Sequence, residues 1–398
     1  MSGLAPVAVA EDISSKEWHL DAMRAEQMWK VSKGKGVTVA VIDSGVDASL
    51  PELRGQLLKG ADASRKGRNP HRDSSGHGSN MAGLIAGTGA GGGVQGLAPE
   101  AKILPIAAKM IDTRTESSGS VMAKAIRYAV DHGARVLNIS LAAQGLREYY
   151  DATQSAVNYA LKQGSLIFAG TGNDGDKGNL RSFPAALSGV VGIGAIDRQG
   201  KAAEFSTTGD YVGLTAFGDQ IAERCTDSEG TCMSGGTSQA TAIASASAAL
   251  IWAKHPKWTN NQVLRVMMQT AAKPKTGDIP SSYVGYGSVR PRKVLLDGEG
   301  DPGPANTNPL LAREGATKPN PSPSASKSSD AGSQQQSSGS DSGKQGEQDA
   351  QKPDKETKAS DGDNGGNTTL WIALGAGAAV VVGGAAAFAV LRRRNGTL

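Results

Sequence analysis

Three polar residues occupy sequence contexts that suit nucleophilic catalysis. Asp43 ends the apolar run of VAVIDSGVD, His77 lies between glycines in SSGHGSNMAG, and Ser238 lies in SGGTSQATA. A serine hydroxyl attacks well only when a base takes its proton, and histidine suits that role because its pKa lies near neutral pH. A carboxylate behind the imidazole fixes its tautomer and stabilises the imidazolium. Together the three residues predict acyl transfer through an Asp-His-Ser triad.

Each of the three residues also has a plainer structural interpretation. Alone, Asp43 would be a turn residue, His77 a helix-capping residue and Ser238 a helix N-cap. The glycines beside His77 favour chemistry, because they would keep the floor of a cleft low enough for an extended peptide to reach the imidazole. Taken together, the three contexts favour the triad over three separate structural roles.

Strands and helices alternate around these residues. The run VTVAVID at 37–43 is short and apolar, as are AKILPIAA, RVLNISLA, SLIFAG and VVGIGAI, and such runs are typical of buried parallel strands. Helical segments such as SVMAKAIRYAVDH, which Gly133 ends, stand between them. The pattern predicts an α/β fold, a doubly wound and mostly parallel sheet with helices on both faces. Asp43 then lies at the carboxyl end of a strand, where such sheets bind ligands.

The segment GTGAGG at 87–92 matches the glycine pattern of a dinucleotide-binding turn. That turn needs a strand before the glycines and a helix after them. Here a helical segment precedes them and a loop follows, so the segment predicts a surface turn and no nucleotide. The formal net charge of +4 is small and its positive residues are scattered, so nothing indicates nucleic acid as a partner.

The composition of the C-terminal part predicts a membrane anchor outside the folded domain. Residues 14–297 are expected to form the domain, and residues 298–368, rich in Ser, Gly, Gln and Pro, a disordered linker. Residues 370–391 are uncharged and long enough for one transmembrane helix, with a buried core helix as the alternative. The arginines that follow predict a cytoplasmic tail at 392–398 and hence a domain outside the cytoplasm, at the cell membrane.

Two further features bear on export. Residues 1–13 contain APVAVAED, which is either the end of a secretory signal, with the sequence from Ala8 to Ala10 as its cleavage site, or a chance likeness. Cys225 and Cys232 flank TDSEGT just before the serine motif. Two cysteines make a poor zinc site, and in an exported domain they predict a disulfide that closes a small loop near the active site. We expect no metal and no other cofactor.

The motifs around the three polar residues resemble those of the subtilisin-like serine proteases. GLAPEAKILPI, VLNISLA, GTGNDG, SFPAAL and FSTTGDYV extend the resemblance in the family's order through most of the predicted domain. The resemblance implies a subtilisin-like fold and a serine endopeptidase with Asp43, His77 and Ser238 as its triad. It also implies that Asn173, in GTGNDG, donates to the oxyanion of the tetrahedral intermediate together with the backbone N–H of Ser238.

The same resemblance implies where a peptide substrate binds. Ser140, Leu141 and Ala142 match the family's edge strand, which pairs with the substrate backbone by strand addition. Gly172 matches the opposite wall of the primary pocket. Ala142 stands where the family usually has glycine, which predicts a narrower pocket.

A narrower resemblance comes from the order of the predicted segments. A catalytic domain, a disordered linker, one membrane helix and a short basic tail resemble the mycosins, which are membrane-anchored subtilases associated with type VII secretion. The resemblance implies processing of secreted proteins or peptides beside a secretion membrane complex. Two other functions stay open: an inactive subtilase-fold scaffold of such a complex, and a general cell-surface protease. DNGGNTTLW, before the predicted membrane helix, contains no sortase motif.

Overall fold

The structure, a computed structural model, describes residues 13–64, 67–108, 116–226 and 230–312. The expected signal remnant up to residue 12, the linker from residue 313 and the expected transmembrane helix at 370–391 lie outside these residues. Within the described ranges, no helix has both the length and the apolar character needed to cross a membrane.

The helices and strands alternate much as the sequence predicts. The helices are α1 (Trp18–Met23), α2 (Ala25–Trp29), α3 (His77–Ala86), α4 (Glu116–Asp131), α5 (Asp151–Lys162), α6 (Thr237–Lys254), α7 (Asn260–Thr270) and α8 (Pro291–Leu295). The strands are β1 (Thr38–Asp43), β2 (Ala61–Asp62), β3 (Lys102–Ala107), β4 (Val136–Ile139), β5 (Ala143–Gln144), β6 (Leu166–Gly170), β7 (Ser182–Phe183), β8 (Val191–Ile196), β9 (Val212–Phe217), β10 (Ile221–Arg224) and β11 (Thr231–Ser234).

A parallel sheet forms the centre of the domain. Within the described residues it has seven strands in the order β2-β3-β1-β4-β6-β8-β9, and each neighbouring pair is parallel. The register of β1 against β3 runs from Thr38 opposite Lys102 to Asp43 opposite Ala107. β1 therefore lies inside the sheet, and its carboxyl end carries Asp43 to an edge where loops from several strands meet.

Helices cover both faces of this sheet, as the sequence predicts. Val39 and Val41 of β1 pack into a core with α3 and α6, whereas Ala40 and Ile42 pack into a second core with α4 and α5. Successive side chains of a strand point to opposite faces, so both faces of β1 must be apolar. Helix α6 is buried along nearly all its length. This burial explains why small and apolar residues occur on all sides of the helix.

The glycine-rich segment 87–92 is a turn, as expected. It follows α3 and contains a single 3-10 turn at Ala90–Gly92, in which Gly91 has a φ of 66°. Only glycine adopts such angles readily, which accounts for the composition without any nucleotide.

The C-terminal boundary of the domain differs from the expected one at residue 297. The Arg265 guanidinium on α7 donates to the carbonyls of Pro302, Pro304 and Thr307 over 2.6 to 2.9 Å, and Leu310 is buried. Residues 298–312 therefore pack on the domain instead of beginning a disordered linker. Composition does not predict that residues 298–312 are ordered, because their order depends on hydrogen bonds from the distant Arg265 to their backbone carbonyls.

Candidate active site

Asp43 and His77 form a hydrogen-bonded pair where β1 ends and α3 begins. His77 Nδ1 lies 2.8 Å from Asp43 Oδ1 and 2.9 Å from Oδ2, and the Asp43 side chain is almost wholly buried. The Ser44 backbone N–H also donates to Oδ1 over 2.7 Å. The carboxylate is thus fixed behind the imidazole, in the arrangement that holds one tautomer and leaves Nε2 free.

The glycines beside His77 have a structural cause that differs from the expected one. A Cβ at Gly78 would lie 2.1 Å from the Gly45 carbonyl oxygen and 3.0 Å from Asp43 Cβ. Gly76 has a φ of 77°, and a Cβ there would meet Thr226 at 3.1 Å. Gly78 therefore lets the start of α3 pack against the end of β1, and this contact brings the imidazole to the carboxylate, whereas Gly76 makes room for Thr226.

Asp73 caps the start of α3 and was not identified from the sequence. Its carboxylate accepts from the N–H and the hydroxyl of Ser79, both over 2.8 Å, and from the Ser44 hydroxyl over 2.8 Å. Burial alone would raise the pKa of Asp73, but these hydrogen bonds outweigh burial and hold the pKa below its usual range. Asp73 therefore adds a negative charge near His77 as well as a helix cap. Its position just before SSGHGS was a capping signal in the sequence.

The carboxylates around His77 raise its pKa. Burial alone would lower the pKa of the imidazole, but Asp43 and then Glu223 and Asp73 outweigh burial and raise it to about 9. The His77 side chain remains 38% exposed towards the cleft. The neutral form that can accept a proton therefore becomes abundant only at alkaline pH.

Ser238 lies in the same cleft as this pair but is not hydrogen-bonded to it in the described part of the chain. The cleft has a volume of about 590 Å³ and is lined by Asp43, His77 and Ser238 among others. Ser238 Oγ donates to the Ser140 carbonyl over 3.4 Å, and within the described residues no hydrogen bond joins it to His77. Such bonds are often long in enzymes without substrate and shorten when the substrate binds. The structure thus brings the three predicted residues to one cleft and leaves the last contact open.

Asn173 faces this cleft with its amide group held in one orientation. Its Oδ1 accepts from the Thr237 N–H over 2.9 Å and from the Thr237 hydroxyl over 3.1 Å. These bonds assign Oδ1 to the Thr237 side and leave Nδ2 as a donor next to the start of α6. Thr237 was not identified from the sequence, although it directly precedes Ser238.

The walls of the cleft contain the residues expected to bind substrate, together with some that were not expected. Ser140, Leu141 and Ala142 follow β4 and line the cleft, and Gly172, with a φ of 107°, lines it too. A Cβ at Gly172 would lie 2.6 Å from Ser182 Oγ, so Ser182 closes the pocket beside it. Ser182 lies far from the three motifs in the sequence, which is why only the structure reveals it.

The two cysteines form the predicted disulfide. Cys225 and Cys232 are bonded and close the hairpin of β10 and β11. Asn80 Nδ2 donates to the Arg224 carbonyl over 2.9 Å, which ties this hairpin to α3 beside the cleft. In the part of the chain that the structure describes, no group of three or more His, Cys, Asp or Glu side chains could hold a metal ion.

Comparison with known proteins identifies relatives of both the sequence and the fold. The model of the Subtilase family matches residues 34–287. A thermophilic serine proteinase of Bacillus sp. (strain AK1) is 35% identical over 263 residues, which are 66% of this chain and 62% of that protein. The matched region is thus less than two thirds of the relative's length.

Solved structures extend the comparison to a serine protease of a type VII secretion system. MycP1 from Mycobacterium smegmatis matches with a TM-score of 0.63 and 26% identity over 76% of this chain and 89% of that one. A MycP1 described as a serine protease and an essential component of the type VII (ESX-1) secretion system matches with a TM-score of 0.61 and 29% identity, over 73% and 91% of the two chains.

Proposed function

The chain belongs to the subtilase family, and we propose that it is a serine endopeptidase that uses Asp43, His77 and Ser238. The observation that carries this proposal is the 2.8 Å contact between Asp43 and His77 in the cleft that also contains Ser238. A structural role for these residues would not require a buried carboxylate behind a cleft-facing imidazole.

The proposed reaction begins when neutral His77 accepts the proton of Ser238 through Nε2. Ser238 Oγ then bonds to the carbonyl carbon of the substrate, and the carbonyl electrons move to its oxygen. Asp43 stabilises the imidazolium, which next gives its proton to the leaving amine as the peptide bond breaks. Water, activated by His77 in the same way, hydrolyses the acyl-enzyme and restores Ser238.

Asn173 Nδ2 and the Ser238 backbone N–H would stabilise the oxyanion in this reaction. Thr237 fixes the amide of Asn173 before substrate arrives, so the donor needs no reorganisation in the transition state. Thr237 is therefore a positioning residue for Asn173.

The substrate would bind as an extended segment along residues 140–142. The Ala142 methyl group and the Ser182 hydroxyl reduce the room for the side chain next to the cleaved bond. Forcing a large ring into such a pocket would cost about 1 to 3 kcal/mol, by analogy with overpacked cores. We expect small or medium side chains at this position, and a peptide library that preferred Phe or Tyr would contradict this.

We further propose that the protease is anchored in a membrane with its domain outside the cytoplasm, and that it processes secreted proteins as the mycosins' association with secretion suggests. The apolar run 370–391, the arginines after it and the disulfide support this topology. The similarity to MycP1 supports a place beside a type VII secretion complex. Deletion of residues 370–398 should move the activity from the membrane to the medium, and activity that stays in the membrane would contradict the anchor.

Labelling with a fluorophosphonate distinguishes the protease from an inactive scaffold. The wild-type chain should be labelled and the Ser238→Ala chain should not.

Comparison of secreted proteins and their N-termini between strains carrying these two chains then distinguishes a dedicated processing protease from a general surface protease. Loss of a few specific cleavages supports processing, whereas loss of many unrelated cleavages supports the general protease. Absence of labelling in the wild type would favour the scaffold.

A further inference from the structure

A buried polar cluster includes the residue that follows the nucleophile, and none of its described members lines the cleft. Gln239, the residue after Ser238, is 4% exposed, and its Nε2 donates to Glu223 Oε2 over 3.0 Å and to Ser234 Oγ over 3.2 Å. Glu223 lies on β10 and is 7% exposed. An ionisable carboxyl group is therefore held inside the protein by hydrogen bonds from neutral groups.

The strand that carries Glu223 is fixed against the helix that carries His77. The Asn80 side chain on α3 donates to the carbonyl of Arg224, the next residue of β10, over 2.9 Å. The chain beyond β10 touches the start of α3, where Thr226 limits the space at Gly76. The position of Glu223 relative to His77 is thus set by contacts of the residues that directly follow Glu223.

Glu223 has no cationic side chain bonded to it in the described part of the chain. Its neighbour Arg224 forms an ion pair with Glu52, to which Nη2 donates over 2.8 Å. The positive group that acts on Glu223 is the imidazolium of His77. Burying a carboxylate without a charged partner is costly, and a glutamine of the same shape would avoid that cost. Packing alone therefore does not explain why residue 223 is a charged glutamate.

We propose that Glu223 is a positioning residue that acts on His77 through space, as a second carboxylate that stabilises the imidazolium formed during acyl transfer. The inference rests on the proposed function, because only that reaction forms the imidazolium as an intermediate. Three carboxylates then act on His77 in different roles. Asp43 bonds Nδ1, Asp73 caps the helix, and Glu223 adds negative charge while leaving Nε2 free for Ser238.

Opposing effects act on the protonation of Glu223. Burial raises the pKa of its carboxyl group above the ordinary value, and this effect exceeds the lowering by the hydrogen bonds from Gln239 and Ser234 and by the attraction of His77. The Gln239 and Ser234 donors thus favour the ionised form that the proposal requires. Their cluster also connects Glu223 to the residue next to Ser238.

The test is an NMR titration of His77 in the full chain with Ser238→Ala, which prevents self-cleavage. The chain has five histidines, so His77→Gln assigns the resonance. Glu223→Gln keeps the size and hydrogen-bonding capacity of the side chain but removes its charge. The pKa of His77 should fall by about 0.5 unit or more, as expected for the loss of a charge that acts across partly buried protein. Glu100→Gln, at an exposed position beside Lys33, is the control with the same change in net charge.

The outcomes separate an electrostatic role from a structural one. Glu223→Asp, which keeps the charge, should hold the pKa of His77 closer to the wild-type value than Glu223→Gln does. Glu223→Thr replaces Glu223→Gln if the latter does not fold. In the active chain, the acid limb of kcat/KM should move to lower pH by the same amount. A His77 pKa that moves no more in the neutral variants than in the Glu100→Gln control overturns the proposal. This titration needs no enzymatic activity, so it decides about Glu223 even if the proposed function fails.

Discussion

The two halves of the candidate site are held in place in different ways. In the base half, where β1 meets α3, hydrogen bonds of 2.7 to 2.9 Å fix Asp43, His77 and Asp73. In the nucleophile half, the Ser238 hydroxyl makes one hydrogen bond of 3.4 Å among the described residues, and Ala142 in the same cleft is exposed. The base half is therefore held by its own hydrogen bonds before substrate arrives, whereas we expect the Ser238 hydroxyl to gain its remaining contacts when the substrate binds. Changes in the base half should alter the fold as well as catalysis, and changes in the nucleophile half catalysis alone.

The largest expected effect comes from removing the nucleophile. Ser238→Ala should lower kcat by about a millionfold, the size of the loss known for the nucleophile of subtilisin itself, and leave the thermal unfolding midpoint nearly unchanged. Peptide hydrolysis measures the loss in kcat, and calorimetry measures the thermal unfolding midpoint. Ser155→Ala, on the exposed side of α5, is the control and should keep full activity. Turnover of Ser238→Ala within tenfold of wild type would refute its role as nucleophile.

The oxyanion donor should give the next largest effect. Asn173→Ala should reduce kcat by about 10² to 10³ with little change in KM, because the amide acts on charge that develops only in the transition state. Steady-state kinetics with a peptide substrate separate the two constants, and Asn158→Ala on the surface of α5 is the control. If KM rises while kcat stays constant, Asn173 binds the ground state instead.

The close contact at Gly78 tests how tightly the base half is built. Gly78→Ala should lower the free energy of unfolding by about 3 kcal/mol, because the added Cβ meets backbone atoms that cannot move aside. The control is Gly83→Ala in the same helix, where the nearest atom to an added Cβ is Val94 Cβ at 3.4 Å. That change should stay within about 1 kcal/mol of wild type. Equal effects in denaturant unfolding would mean that the approach of α3 to β1 is not tight.

The pH dependence should show the smallest effect, and it follows from the charge around His77. The base must be neutral to accept a proton, so kcat/KM should rise nearly tenfold between pH 7 and pH 8 and level off above about 9. The stability that His77 gains from Asp43 has the opposite dependence. It is fully present below the ordinary pKa of 6.5 and is lost as pH rises through about 9. A plateau of kcat/KM already at pH 7 would contradict a His77 pKa that nearby carboxylates raise.

Residues of the site that lie in local sequence motifs could be predicted from the sequence. Asp43 could be assigned because an apolar strand ends in an acid, and Ser238 because a glycine-rich turn precedes a buried helix. The parallel sheet followed from the alternation of apolar runs with helical segments. These features depend on neighbours in sequence, so no tertiary contact was needed to recognise them.

The residues that sequence analysis missed act through contacts between distant segments. Thr237 is identified by its bonds to Asn173, and Ser182 by its approach to Gly172. The order of residues 298–312 likewise depends on Arg265, which lies in α7. Neither periodicity nor composition reports such pairings, which arise only after the sheet and helices have packed.

The most direct test of the central claim is the structure of the chain with a peptidyl phosphonate bound. We expect a covalent bond to Ser238 Oγ and an oxygen of the adduct about 2.7 to 3.1 Å from Asn173 Nδ2. We also expect His77 Nε2 within hydrogen-bond distance of the adduct, while Nδ1 stays 2.8 Å from Asp43. Phosphonylation of another residue, or an adduct at Ser238 with His77 turned away from Asp43, would contradict the Asp43-His77-Ser238 mechanism.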